Sequence, residues 1–524
     1  MANTNQMGKP AINESMIDVF SDALQPLQTP LSRQQAAHFL RRTSFFGTTE
    51  EVALLAGRSA IDVVNEAVDA AMNLDTPPPP PWVNDYPPGR DAPASERQAY
   101  NTQNNAWLRD YRRDWYLDLK KTGFRERYTL FWHNHFVTET QPYKYAVLAH
   151  RYLHLLRTSG FGDFKLFVAA VGVDQAMLIY LDGDSNTFQA PNENYARELL
   201  ELFTMGPLDK DGIPNYTEND VQEIARALTG WVVDWENKTT VLNPSRHDFE
   251  EKTIFGITGQ FGYQDVIDLI FSERTEQTAY FLAEKLYTAY IYESPDSDVV
   301  QALADQLITS NFVVHPVLRS LLASEHFFNS ENIGAMIKSP LDLLIGMGRM
   351  FSIENSANLP RYYDNASTLM GQRLLNPPNV AGWPGYHDWL STTTLPLRWI
   401  ASDISIFGGS GSLEPDLLPL AASLHDTNDP AAALYLPTAL AEFLLALPLA
   451  DVEIPEITDE FGGDLVNNPL PDDIKNGPEH VRNLAKLFLA GLPWYEWYLY
   501  NTGSHNYLQA YVRSILKYPE FQLL

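Results

Sequence analysis

The chain contains no cysteine in 524 residues. Disulfides, thiolate nucleophiles and thiolate metal sites are therefore excluded. Any divalent metal would have to be held by His, Asp, Glu, carbonyl oxygen or water. Positive charge is scarce too: 37 Lys and Arg face 66 Asp and Glu, a formal balance of −29. A surface so acidic repels phosphate backbones and anionic lipid, so nucleic acid is not expected as a partner. Long apolar runs are also missing. The richest, ALAEFLLALPLA at 439–450, is shorter than the ~20 residues of a spanning helix and carries Glu442 and Pro448, so no membrane insertion is expected. Residues 1–20 lack a basic patch followed by an apolar run, so no signal peptide is read and a cytoplasmic location is expected.

What the chain does have is enough apolar surface, 45% of residues, to bury a sizeable core. Helix starts recur along it. Ser32 with Gln35, and Thr48 with Glu51, read as capping boxes; Thr217 with Asp220 repeats the device, and Ser339-Pro340 is a cap followed by proline. Ser59 reads as a further N-cap. Helical patterns are expected over 107–139, 144–159, 164–180, 192–205, 218–228, much of 265–351, 480–492 and 506–516. Prolines at 77–81, 87, 88 and 93 forbid helix and mark an arm, read as an ordered excursion across the helical body. Residues 231–262 turn β-branched and Gly-rich, which suits a hairpin. The expected fold is mainly α: a large helical body with long loops, a Pro-rich arm and one small β-hairpin. Its expected divisions are an N-terminal tail (1–30), N-terminal helices (31–75), the arm (76–100) and a helical core (101–407). An acidic Pro/Gly-rich insertion (408–477) and C-terminal helices (478–524) follow.

Six longer blocks carry a resemblance: FWHNHFVT (131–138), MLIYLDGDSN (177–186), NENYARELLELFTMG (192–206), YTENDVQEIARALTGW (216–231), HDFEEKTIFG (247–256) and GQRLLNPPNVAGWPG (371–385). They resemble the signature blocks of the bacterial family known as domain of unknown function 1800. LRRTSFFGTTEEV (40–52), KSP (338–340) and the closing YPEFQLL (518–524) match that family's ends. The resemblance implies no assigned activity. It implies a gene neighbour similar to sulfatases and alkaline phosphatases, hence a sulfatase-like partner and export in its company.

Several ionisable side chains are candidates for chemistry. Phe124, Tyr128, Phe131 and His135 recur at helical spacing, so His135 points with the apolar face and His133 lies about 200° away. One metal cannot take both from a regular helix; a core imidazole and a metal ligand both stay open. Glu198 and Glu201, one turn apart beside Arg197, suit a hard cation or a shared proton. The spacing Glu193–Arg197–Glu201 equally suits a solvated ion ladder. Glu223 lies on the next helix, and His247-Asp248 in a loop could be a ligand pair or a base with its orienter. Trp383 and Trp389 sit in a Pro/Gly-rich loop, where they could stack on a ligand or plug the bundle; Trp82 could pin the arm or contact a partner.

No His-Glu-x-x-His, Glu-x-x-His, complete calcium loop, phosphate-binding loop or Gly-x-Ser-x-Gly elbow occurs. Two functions are therefore expected. One is a metal-assisted hydrolase with His133, His135, His247 and Asp248 as metal candidates and Glu198, Glu201, Arg197 and Glu223 as catalytic candidates. Its pocket would lie between the helices of His135, Glu198 and Glu223, roofed by the His247–Asp248 loop. The other is a non-catalytic accessory protein for the sulfatase-like neighbour, with Trp383, Trp389 or Trp82 at the interface.

Overall fold

Four helices begin at the side chains that the sequence marks as caps. Ser32, Thr48, Thr217 and Ser339 each accept the N3 amide, and the N3 side chain answers reciprocally, opening helices Arg33–Ser44, Thr49–Leu55, Glu218–Ala227 and Pro340–Met350. Ser59 stands at the start of Ala60–Asn73 but makes no side-chain cap bond. The computed structural model describes residues 22–354, 356–408, 414–426 and 428–524. The fold is mainly α. Among the described residues the only sheets are two antiparallel hairpins, Trp231–Asp234 with Thr239–Leu242 and Lys252–Ile254 with Ile257–Gly259. One hairpin was expected, but the segment contains two tight turns. Asp234 Oδ1 accepts the amides of Glu236 and Asn237 in the first, while Phe255 and Gly256 take positive φ in the second.

The expected continuous helix over 107–139 is two helices, Ala94–Thr122 and Phe124–His135. Gly123, at φ +49°, makes the break, and a β-carbon there would lie 2.9 Å from Ser44 Oγ. The apolar segment 164–180 is likewise divided, because Asp174 caps a new helix, Gln175–Tyr180, after Phe164–Gly172. The Pro-rich arm is an ordered excursion. Trp82 stacks on Trp107 at 5.7 Å, and the Tyr86 hydroxyl donates to Gln175 Oε1 while accepting from Arg151. Its proline stretch gives way to helix at Ala94.

Distant parts of the sequence close on one another through buried cations. Arg41, Arg42, Lys338 and Arg398 are each no more than 2% exposed. Burying charge is costly unless the charge finds partners. Here backbone carbonyls supply them. Arg41 donates to the carbonyls of Phe443 and Leu445, at 2.8 Å each, where helix Ala432–Leu444 runs out of intrahelical donors. Arg42 donates to the Asn332 carbonyl, Lys338 to that of Phe521, and Arg398 to Lys338 O and Gln522 Oε1. Backbone bonds from Lys338 N–H to Gln522 O and from Leu524 N–H to Met336 O complete the knot. The blocks LRR, KSP and YPEFQLL thus meet in space. Within the segment expected as an insertion, Leu434, Leu440 and Leu444 are fully buried. The expected tail residues 1–21 and the Gly-rich residues 409–413 lie outside the described residues.

Candidate functional site

The end of helix Phe124–His135 reads Trp-His-Asn-His, and each side chain bonds the backbone of a distant segment. Trp132 Nε1–H donates to Gly160 O at 3.1 Å. His133 Nε2 accepts the Leu375 N–H at 3.1 Å. Asn134 Oδ1 accepts the Trp383 N–H at 2.7 Å, and its amide nitrogen donates to Trp383 O at 3.4 Å. His135 Nε2 bonds Phe203 O at 3.1 Å. These partners fix the tautomers, because a peptide N–H only donates and a carbonyl only accepts. His133 therefore carries its proton on Nδ1 and His135 on Nε2. Burial pushes the His133 pKa down to about 4 and, with the added charge of Lys285, that of His135 to about 3. Both rings are neutral at pH 7.

The Phe203 carbonyl is free to receive His135 because it lies in the last turn of its helix, where carbonyls have no intrahelical donor. The α-helix Glu193–Glu198 widens into a π-helical turn, Leu199–Thr204, and the amides of Met205 and Gly206 both return to Leu200 O. The 3.6-residue period expected across 192–205 gives way from Leu199 on, while Glu201 stays beside Arg197 and near Glu198 as its spacing implied. Arg197 lies within 2.6 Å of Glu218, 3.5 Å of Glu201 and 3.8 Å of Glu193. Glu201 also accepts the Tyr216 hydroxyl at 2.5 Å. Partial burial, then the charge of Glu201, raises the pKa of Glu198.

A second ion group joins Glu223 and Asp248 through Arg226, at 2.9 and 2.8 Å, with Lys252 at 3.7 Å from Asp248. His247 turns Nδ1 to the Thr229 carbonyl at 2.8 Å, so its proton sits there. The structure thus brings Glu223 to Asp248, and Arg197 to Glu201. It does not unite them with the histidine helix. Among the described residues no three His, Asp or Glu side chains are arranged to hold a metal ion.

His135 instead lines a cleft of about 540 Å³ that none of Glu198, Glu223, His247 and Asp248 reaches. Helix Phe124–His135 contributes Arg127, Phe131 and Asn134, and helix Thr275–Tyr290 contributes Lys285. Ser339 and Asp342 come from the start of Pro340–Met350, and loop 371–390 adds Gln372, Trp383, Tyr386 and Trp389. Asp342 pairs with Arg127 and accepts the Ser339 amide. Trp383 and Trp389 are 5% and 8% exposed, so they form a wall and do not project. Gly382, at φ +86°, permits the loop's approach: a β-carbon there would lie 2.4 Å from Asn134 Oδ1.

Sequence reasoning passed over Arg127, Asn134, Lys285, Asp342 and Gln372. Asn134 lies inside the FWHNHFVT block, Asp342 is the capping partner behind KSP, and Gln372 opens the GQRLLNPPN block, so each had a signal. Lys285 had none. Three blocks that the sequence scatters over 250 residues frame one cavity wall and floor. The chain belongs to the family described as Protein of unknown function (DUF1800). That family's model matches residues 38–523. Comparison with curated proteins and with solved structures gave no match.

Proposed function

We propose that the protein is a non-catalytic binding protein, an accessory whose working surface is the cleft beside helix Phe124–His135. One observation carries this reading. The imidazoles at 133 and 135 are engaged with backbone on their Nε2 atoms, and the polar-lined cleft that they and Asn134 hold in place contains no metal-holding set among the described residues. Clefts of this size, with an aromatic wall and a few placed polar groups, suit ligand recognition. The sulfatase-like neighbour is the partner that the family resemblance implies. The test is elemental analysis of purified protein together with co-purification from the native host. Metal-free protein that brings a partner with it, and loses it on Ala381→Trp at the cleft mouth, supports the reading. Stoichiometric metal lost in His135→Gln with the fold intact contradicts it.

The metal-assisted hydrolase keeps one favourable observation. Glu198 is half-buried beside Glu201, and its raised pKa suits proton transfer or cation capture. On that reading Glu198→Gln abolishes a hydrolytic activity and a bound divalent metal together. Retention of both in Glu198→Gln removes it.

A further inference from the structure

The acidic balance of the chain reverses at the floor of the cleft. Arg127 and Lys285 line it, and Arg42, fully buried, lies close enough behind to interact with Arg127, Asp342 and Tyr386 of the lining. Of the two lining carboxylates, Asp342 is engaged by Arg127 and the Ser339 amide, while Glu293 lies at the rim, 3.6 Å from the His387 ring. The cations are less well served. Lys285 forms no ion pair among the described residues; its Nζ sits 5.1 Å above the Phe281 ring. Arg42 gives one N–H group to the Asn332 carbonyl, and its Nε and Nη1 have no partner among the described residues. Gln372 uses its oxygen to accept the Leu341 amide, which leaves its NH2 donors free.

Loss of water around Lys285 lowers its pKa, against a smaller opposing effect of the neighbouring Glu284 carboxylate. A concave site with surplus donors and more cations than carboxylates at its floor is complementary to a negatively charged acceptor, and charge-assisted hydrogen bonds there are the strong ones. On a chain whose formal charge is −29, such a floor is opposite in sign to the chain as a whole.

We propose that the cleft binds a small organic oxyanion, a carboxylate or a sulfate or phosphate ester. Lys285, the Arg127 guanidinium and the Gln372 NH2 group take the oxyanion, and the Trp383–Trp389 wall takes the apolar part. This inference rests on the binding reading above and names its ligand class.

The test titrates the full-length protein with citrate, sulfate and phosphate at ionic strength matched by sodium chloride, read by calorimetry and by melting temperature. At least one oxyanion binds at a single site and raises the melting temperature beyond the chloride control; which one binds identifies the source of the anion. Lys285→Glu weakens that binding about tenfold or more, while Lys165→Glu, the same charge change at an ion pair outside the cleft lining, leaves it unaltered. Lys285→Gln serves if the reversal disturbs folding. No oxyanion exceeding chloride, or equal weakening by Lys285→Glu and Lys165→Glu, overturns the proposal. If neutral glucose binds, Ala381→Trp blocks it and no oxyanion binds, the anion inference fails and the binding reading stands. Oxyanion binding untouched by Ala381→Trp removes the cleft from both.

Discussion

At residues 132–135 every polar side chain is withdrawn from solvent or clamped to the backbone of another segment, whereas at 197–248 arginines and carboxylates pair with one another near the surface. Both regions are rich in residue types that do chemistry. In the first, burial removes charge: the histidines go neutral and act as hydrogen-bonding struts, each with one tautomer selected by its partner. In the second, solvent and neighbouring arginines preserve charge, and the groups form ion ladders of small net worth. The same letters in a sequence thus serve as struts or as solvated ions according to what surrounds them.

The largest effect expected from this difference is on acid stability. Burial lowers the pKa of His38, His133, His135, His150 and His315. A depressed histidine contributes stability that is complete above its unfolded value of about 6.5 and is lost as pH falls toward its folded value. For His133 and His135 that loss runs from pH 6.5 down to about 4 and about 3. Asp118 and Asp174, raised by burial to about 6, act the other way: their contribution is present below the usual carboxylate pKa and fades as pH rises through 6. With His154 and His326 also lowered, and Asp114, Asp184 and Glu198 also raised, seven histidines against five carboxylates leave a net loss on acidification. Denaturant midpoints should be lower at pH 5 than at pH 7; an equal or higher midpoint at pH 5 would refute the dry-strut description.

Trp132→Ala comes next. The ring is fully buried against Phe136, Phe164 and Phe167, so truncation should cost about 3–5 kcal/mol, seen as a large drop in denaturant midpoint. Asn134→Ala should cost less, about 1–3 kcal/mol, by orphaning the buried Trp383 amide. Its signature is local: limited proteolysis should cut loop 371–390 before other sites, and uniform susceptibility would deny the clamp. Smallest is Arg197→Ala in the exposed ladder, about 0–1 kcal/mol, with a midpoint close to wild type. A loss as large as that of Trp132→Ala would erase the distinction between the two regions.

Much of the helical framework was legible because capping is local: Ser32, Thr48, Thr217 and Ser339 each find their partner three residues on. The strut was not, since its bonds join residues 28 to 249 positions apart, which no periodicity encodes. The π-helical turn at 199–204 carried no mark in the spacing, yet Arg197 and Glu201 still meet at the four-residue interval read from the sequence. His135 was correctly placed on the apolar stripe, yet its neutral tautomer follows from a carbonyl 68 residues away. Lys285 joins the cleft through tertiary packing alone, and its surroundings in sequence carry no mark of that.

Nitrogen-15 NMR of histidine-labelled protein tests the strut most directly, because ring shifts report tautomer and charge site by site. We predict Nδ1–H for His133 and Nε2–H for His135, both neutral from pH 8 to pH 5 and both unmoved by added Zn²⁺. An imidazolium at either position near pH 7, or a zinc-induced shift of both rings together, would contradict the account.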